Sequence, residues 1–262
     1  MNDLYSFHAQ HRNTRVMHKW EHYFDVYERF LSPIRGANPV VLEIGVQLGG
    51  SVEMWRDYFG AAARIYGIDI NPDARQQQDI ATKVFIGDQQ DRSFLRSVVR
   101  EIGRPDVVID DGGHTANQQI TAFEELYPAL SATGLYFVED THTSLWRGQF
   151  MDRQDQQSFL QYSFARCAQL MEWTGKAENF QVLGGDQNET LANAVSAFCR
   201  TTKAITFFDS MIVYERADRR VPRHTRRGHD RPVPSAGEPA RRAAHLRHRR
   251  HPWLRRAARR PA

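Results

Sequence analysis

The chain is 262 residues long, 41% hydrophobic, with two cysteines and a formal net charge of +4. The positive charge belongs to one end: residues 217–262 hold 15 arginines against Asp218, Asp230 and Glu238, a net +12, so residues 1–216 carry −8 and nucleic-acid binding is not expected of them. No apolar run is long enough for a signal-peptide core or a bilayer span, which excludes a membrane-spanning role and points to the cytoplasm, where Cys167 and Cys199 are expected as free thiols.

Residues 1–35 read as an N-terminal helical segment. Within Met17–Leu31 the aromatics Trp20, Tyr23, Phe24, Tyr27 and Phe30 recur at three- and four-residue steps, one apolar helix face. The body, 36–216, opens on Val40–Ser51 (VVLEIGVQLGGS). Val40, Val41, Leu42 and Ile44 read as a buried parallel strand, and Gly45, Gly49 and Gly50 as a tight turn into a helix over Val52–Phe59 that the Ser51 side chain caps. Two more apolar runs end in carboxylates: Arg64–Ile70 contains Asp69, and Lys83–Asp88 ends in Asp88 followed by Gln89. A short surface helix is expected over Pro72–Ile80 and another helix over Ser93–Ile102. Next come the stretch DVVIDDGGHT (Asp106–Thr115), a helix over Gln118–Leu130 and the strand LYFVED (Leu135–Asp140). A loop and helix with aromatic anchors fill residues 144–171, and Ile205–Tyr214, broken at Asp209–Ser210, reads as a hairpin. The alternation gives an α/β fold: a doubly wound, mostly parallel sheet with an antiparallel last strand and helices on both faces. Residues 217–262 form an Arg-rich tail without apolar periodicity and are expected to be disordered.

The glycine loop has the form Glu43-x-Gly45-x-x-x-Gly49-Gly50. It lacks G-x-G-x-x-G spacing and a phosphate-cradling lysine, which favours a nucleoside ligand without phosphates over a dinucleotide or a nucleoside triphosphate. Asp69, about twenty residues on at the end of the second strand, is placed to accept ribose hydroxyls. In a 3-2-1-4-5 sheet the fourth and fifth strands are neighbours, so Asp110, Asp111, His114, Glu139 and Asp140 share one rim. Carboxylates converging there repel one another unless a cation neutralises them, and oxygen donors favour a hard divalent ion, magnesium with manganese as substitute.

Through Glu43-Ile44-Gly45, Gly49-Gly50, Asp69 and Asp88-Gln89 the chain resembles the S-adenosylmethionine-dependent methyltransferases of the Rossmann-like superfamily. Within it, the chain is most similar to metal-dependent macrolide-sugar and rhamnosyl O-methyltransferases, a group that includes cephalosporin hydroxylase-like proteins; the similarity runs from Trp20 to Arg216. The resemblance implies S-adenosylmethionine held by Glu43, Gly45, Gly49, Ser51, Asp69, Asp88, Gln89 and Asp110. It implies Mg2+ (or Mn2+) on Asp111, Glu139 and Asp140, with His114 as general base; His142, two residues after the Glu139-Asp140 pair, is the next candidate by position. The implied acceptor is a sugar hydroxyl of a small-molecule glycoside, and the implied assembly a homo-oligomer. A catechol or phenol O-methyltransferase and a non-catalytic S-adenosylmethionine-binding homologue are the other readings.

Overall fold

A computed structural model of the chain describes residues 3–10, 12, 14–146, 148–176 and 194–222, so the expected tail lies outside the described residues from position 223 on. Its centre is a seven-stranded sheet. The strands are β1 (Val40–Ile44), β2 (Arg64–Asp69), β3 (Lys83–Ile86), β4 (Val107–Asp110), β5 (Leu135–Val138), β6 (Thr202–Phe208) and β7 (Met211–Arg216), in the order β3-β2-β1-β4-β5-β7-β6. The first five run parallel, and β7 pairs antiparallel with both β5 and β6. The doubly wound sheet with an antiparallel end is as the sequence leads one to expect, and the hairpin turns at Asp209–Ser210.

Both faces are covered, which is why β1, β4 and β5 are buried at every residue and read as continuous apolar runs. One face packs under α1 (Asp3–Ala9), α2 (Tyr23–Leu31) and α3 (Gly50–Phe59), where Tyr27, Trp55 and Phe137 meet edge to ring. The other packs under α4 (Arg92–Ile102), α5 (Ala116–Leu126) and α6 (Phe159–Leu170), around Phe123, Tyr136 and Tyr214. Two short helices, α7 (Glu172–Lys176) and α8 (Ala197–Thr201), lead into β6. Cys167 on α6 and Cys199 on α8 are both free thiols. Residues 217–222 continue past β7: Arg219 donates to the Leu170 and Cys199 carbonyls, and Val221 packs on Trp173 and Val195.

Three local readings are corrected. The aromatic helix starts at Tyr23, not Met17. Just upstream, residues 14–16 are held along α3, where the Thr14 and Arg15 amides donate to Glu53 (2.8 and 3.0 Å) and the Val16 carbonyl accepts from Gly50 (3.2 Å). Ser51 does not cap α3: Gly49, left-handed at φ 82°, holds the N-cap, and the Ser51 hydroxyl turns inward to Glu43 (2.9 Å). The buried Glu43 carboxylate thereby gains a donor that it would otherwise lack. The fifth helix starts at Ala116, two residues before the expected position, where Thr115 and Gln118 form a reciprocal capping box. Pro72–Asp79 is a 3-10 helix capped by Asn71.

Gly45 is the tightest point of the loop. Its φ is +90°, and a Cβ there would lie 2.0 Å from the Asp111 carbonyl oxygen, so the backbone after β1 rests directly on the backbone after β4. Gly45→Ala is therefore expected to lower stability by about 3 kcal/mol or more, since neither the left-handed strain nor the clash with main chain can relax. A thermal melt should fall by roughly 6–12 °C for a body of this size.

Candidate active site

At the carboxyl ends of β1, β2 and β3 lies a crevice with about 580 Å³ of empty space, lined among others by Gly45, Asp69, Ile70, Asp88, Gln89 and Gly112. It is shaped by amides and carboxylates in reciprocal contact. Asp69 accepts from the Gln47 and Asn71 amides, both at 2.8 Å, which folds the glycine loop back onto β2. Buried Gln89 ties the end of β3 to that of β4, donating to Asp110 (3.2 Å) and accepting from the Gly113 amide (2.9 Å). Gly112 leaves room for it, since a Cβ there would sit 1.9 Å from the Gln89 carbonyl oxygen. Of the residues expected at a nucleoside ligand, Gly45, Asp69, Asp88 and Gln89 line the crevice, while Glu43, Gly49, Ser51 and Asp110 do not. Asp110 is fully buried behind it, with Tyr136 as a second donor at 3.3 Å, and burial pushes its carboxyl up to about 7.

Asp111 lines the crevice too and is also part of the acidic rim. Each rim carboxylate is split between partners. Asp111 Oδ2 accepts from the Lys19 ammonium (2.8 Å), and its Oδ1 lies 3.9 Å from His114 Nε2. Asp140 Oδ1 accepts from the Tyr23 hydroxyl (2.8 Å), and its Oδ2 lies 3.5 Å from the same His114 nitrogen. Glu139 points into the protein, where Oε1 accepts from Lys19 (2.6 Å) and from the Tyr27 hydroxyl. Glu43, the acid in the middle of β1, lies 3.6 Å from Lys19 and has one oxygen without a hydrogen-bond donor.

Lys19 is the member of this acidic cluster that the sequence did not announce. Its side chain has no exposed surface, yet it comes from the irregular segment before α2 and reaches acids 92 and 120 residues away. The only sequence signal is a lysine interrupting an aromatic face, which a helical reading places in solvent. Burial opposes its charge, but Asp111, Glu139 and Glu43 outweigh that and hold the ammonium well above the usual lysine range. The acids are raised as well: burial pushes the Glu139, Asp111 and Glu43 carboxyls above the usual range, and the Lys19 ammonium pulls each back.

His114 and Asp140 have left-handed backbones (φ 60° and 50°) that place their side chains toward one another. The Thr143 hydroxyl lies 3.0 and 2.9 Å from their two carbonyls, bracing both turns. Among the described residues, His114 Nδ1 is buried without a hydrogen-bond partner. One ligand atom each from Asp111, His114 and Asp140 falls within a 4.8 Å span, close enough for a divalent cation. Against the rim lies a second cleft, lined by Met17, His18, Lys19, Trp20, Glu139 and Asp140. Trp20 continues into a row of rings with His142 and Trp146, centroids 6.2 and 4.8 Å apart in succession, and both tryptophans are half exposed. His22 is turned to the Asp209 carbonyl.

No protein-family model matches the chain. It is 40% identical over 131 residues to the 8-demethyl-8-alpha-L-rhamnosyl tetracenomycin-C 2'-O-methyltransferase of Streptomyces olivaceus, a match covering 47% of this chain and 34% of that one. It is 37% identical over 129 residues to the mycinamicin VI 2''-O-methyltransferase of Micromonospora griseorubida, covering 47% and 32%. The chain thus spans about a third of the length of the curated relatives it matches. Among solved structures, the MycE methyltransferase from the mycinamycin biosynthetic pathway, in complex with Mg and SAH, aligns with a TM-score of 0.66 at 25% identity, over 82% of this chain and 55% of that one. The chain carries the Rossmann-like methyltransferase fold, and the relatives it matches are O-methyltransferases of glycosylated natural products.

Proposed function

We propose that the chain is an S-adenosylmethionine-dependent O-methyltransferase acting on a sugar hydroxyl of a glycosylated small molecule, with a divalent cation at its acidic rim. The observation that carries the reading is the position of Asp111, which lines the donor crevice and at the same time faces His114 and Asp140. A donor methyl in the crevice and an acceptor oxygen at the rim meet at that residue. The rhamnosyl and mycinamicin activities of the relatives support a glycoside over a catechol.

The residues divide the work. Asp69 accepts the ribose hydroxyls, and Gly45 and Gly112 let the donor lie against main chain. Asp111 Oδ1 and Asp140 Oδ2 are the oxygens that would hold the cation, with Glu139 behind them on Lys19. When bound, such an ion lowers the pKa of a chelated sugar hydroxyl and fixes its orientation. His114 Nε2, facing both oxygens, takes the hydroxyl proton as the methyl is transferred. Trp20 and Trp146 give the sugar and its aglycone an apolar surface at the cleft mouth, and water is excluded from the inner rim by Tyr23 and Tyr27.

Three outcomes are expected. Calorimetry with SAH should show Asp69→Ala binding at least about tenfold more weakly, the order of a lost pair of hydrogen bonds to ribose; unchanged affinity would remove the nucleoside assignment. Turnover of rhamnosyl or deoxysugar glycosides should vanish in excess chelator and return with Mg2+ or Mn2+, while turnover of catechols alone would overthrow the sugar reading. His114→Ala should reduce kcat by about two to four orders of magnitude with SAH affinity unchanged; an unimpaired variant would move the base to His142.

A further inference from the structure

We infer that Lys19 is an internal cation that partitions the acidic rim, reserving Glu139 and one oxygen of Asp111 for itself and confining a divalent ion to Asp111 Oδ1, Asp140 Oδ2 and the His114 side. The inference rests on the metal-dependent reading above and goes beyond it, because it makes the strength and composition of the metal site a property of a residue outside the sheet.

The placement of Lys19 is built, not incidental. Thr14 donates to Glu53 through both its amide and its hydroxyl (2.8 and 2.7 Å), the Arg15 amide adds a third bond, and Gly50 donates to the Val16 carbonyl. Gly50 lets this strap lie on α3, since a Cβ there would come within 2.4 Å of the Val16 oxygen. So anchored, the strap drives the Lys19 side chain inward until its Nζ lies 2.6 Å from Glu139, 2.8 Å from Asp111 and 3.6 Å from Glu43. It also lies 6.0 Å from the centroid of the Tyr27 ring, whose hydroxyl donates to the same Glu139 oxygen. Glu139 Oε1 therefore already accepts two donors, one of them an ammonium. By contrast, the partner recorded for Asp111 Oδ1 and Asp140 Oδ2 among the described residues is the His114 ring, at 3.9 and 3.5 Å.

Two consequences follow from electrostatics. A divalent ion that shares Asp111 with an ammonium is repelled by it across a few ångströms of poorly screened space, so Lys19 must weaken metal binding. Glu139, held on Lys19, contributes its negative charge to the ammonium and not a ligand oxygen to the ion.

The test measures Mn2+ affinity of the full chain without substrate, by calorimetry and by the loss of the free-ion paramagnetic signal. Lys19→Met should bind Mn2+ about tenfold or more tightly than the wild type, the size of an ordinary coupling between neighbouring sites. Glu139→Gln should lie within about threefold of wild type, whereas Asp140→Asn should lose about tenfold or more. In the Lys19→Met background Glu139→Gln should instead lose about tenfold, because the released carboxylate is then free to ligate; that non-additivity is the signature of partition. A Lys19→Met affinity equal to or below wild type overturns the inference. So does a Glu139→Gln loss in the wild-type chain as large as that of Asp140→Asn, which would mean that the ion displaces the ammonium. If Lys19→Met fails to fold, as seen by its thermal melt, the Glu139→Gln and Asp140→Asn comparison decides alone. If no form binds Mn2+, the inference falls, and glycoside turnover in chelator shows separately whether the methyltransferase reading survives.

Discussion

One ammonium among four carboxylates holds this site together. Glu43 from β1, Asp111 after β4 and Glu139 after β5 meet Lys19 at 3.6, 2.8 and 2.6 Å, with Asp140 next along. Acids carried by three neighbouring parallel strands can converge only if something cancels their repulsion, and in the folded chain a lysine from the strap does so. A buried ion pair of this kind contributes little net stability, because desolvation of each charge offsets the attraction; removing one member, however, leaves the others buried and uncompensated. The strap, the first turn of α3 and the ends of the three central strands thus stand or fall as a unit.

The parts of the fold that were legible in the sequence are those with a local cause. A run such as VVLEI announces a strand covered on both faces, and glycines after it announce a backbone that must approach another chain segment, here Asp111. The acids at the ends of β2, β3, β4 and β5 were legible because the parallel order places every strand terminus on one edge. Lys19, the inward turn of Ser51 and the Gln89 clamp were not, since each is decided by a partner that no periodicity links to it. Lys19 finds Glu139 across 120 residues, and Gln89 reaches Gly113 across 24. The aromatic spacing of Met17–Leu31 was real for the part that packs, Tyr23 to Leu31. It failed for Met17–His22, where the chain leaves the strap tied to Glu53 and Gly50 and sends Lys19 inward to Asp111 and Glu139.

The two clefts are joined at a single side chain. Asp111 borders the crevice shaped by Gly45, Asp69 and Gln89, and it belongs to the rim that faces Trp20 and Asp140. The backbone contact between Gly45 and Asp111 sets how the two clefts are spaced, so their arrangement depends on main chain more than on flexible side chains.

The left-handed turns at His114 and Asp140 bear on how such a site persists through mutation. Glycine at either position would relieve about 1–2 kcal/mol of backbone strain, more than a typical surface substitution changes. Drift toward a more stable protein would therefore remove both side chains, so keeping an imidazole and a carboxylate at these two turns carries a standing cost in stability.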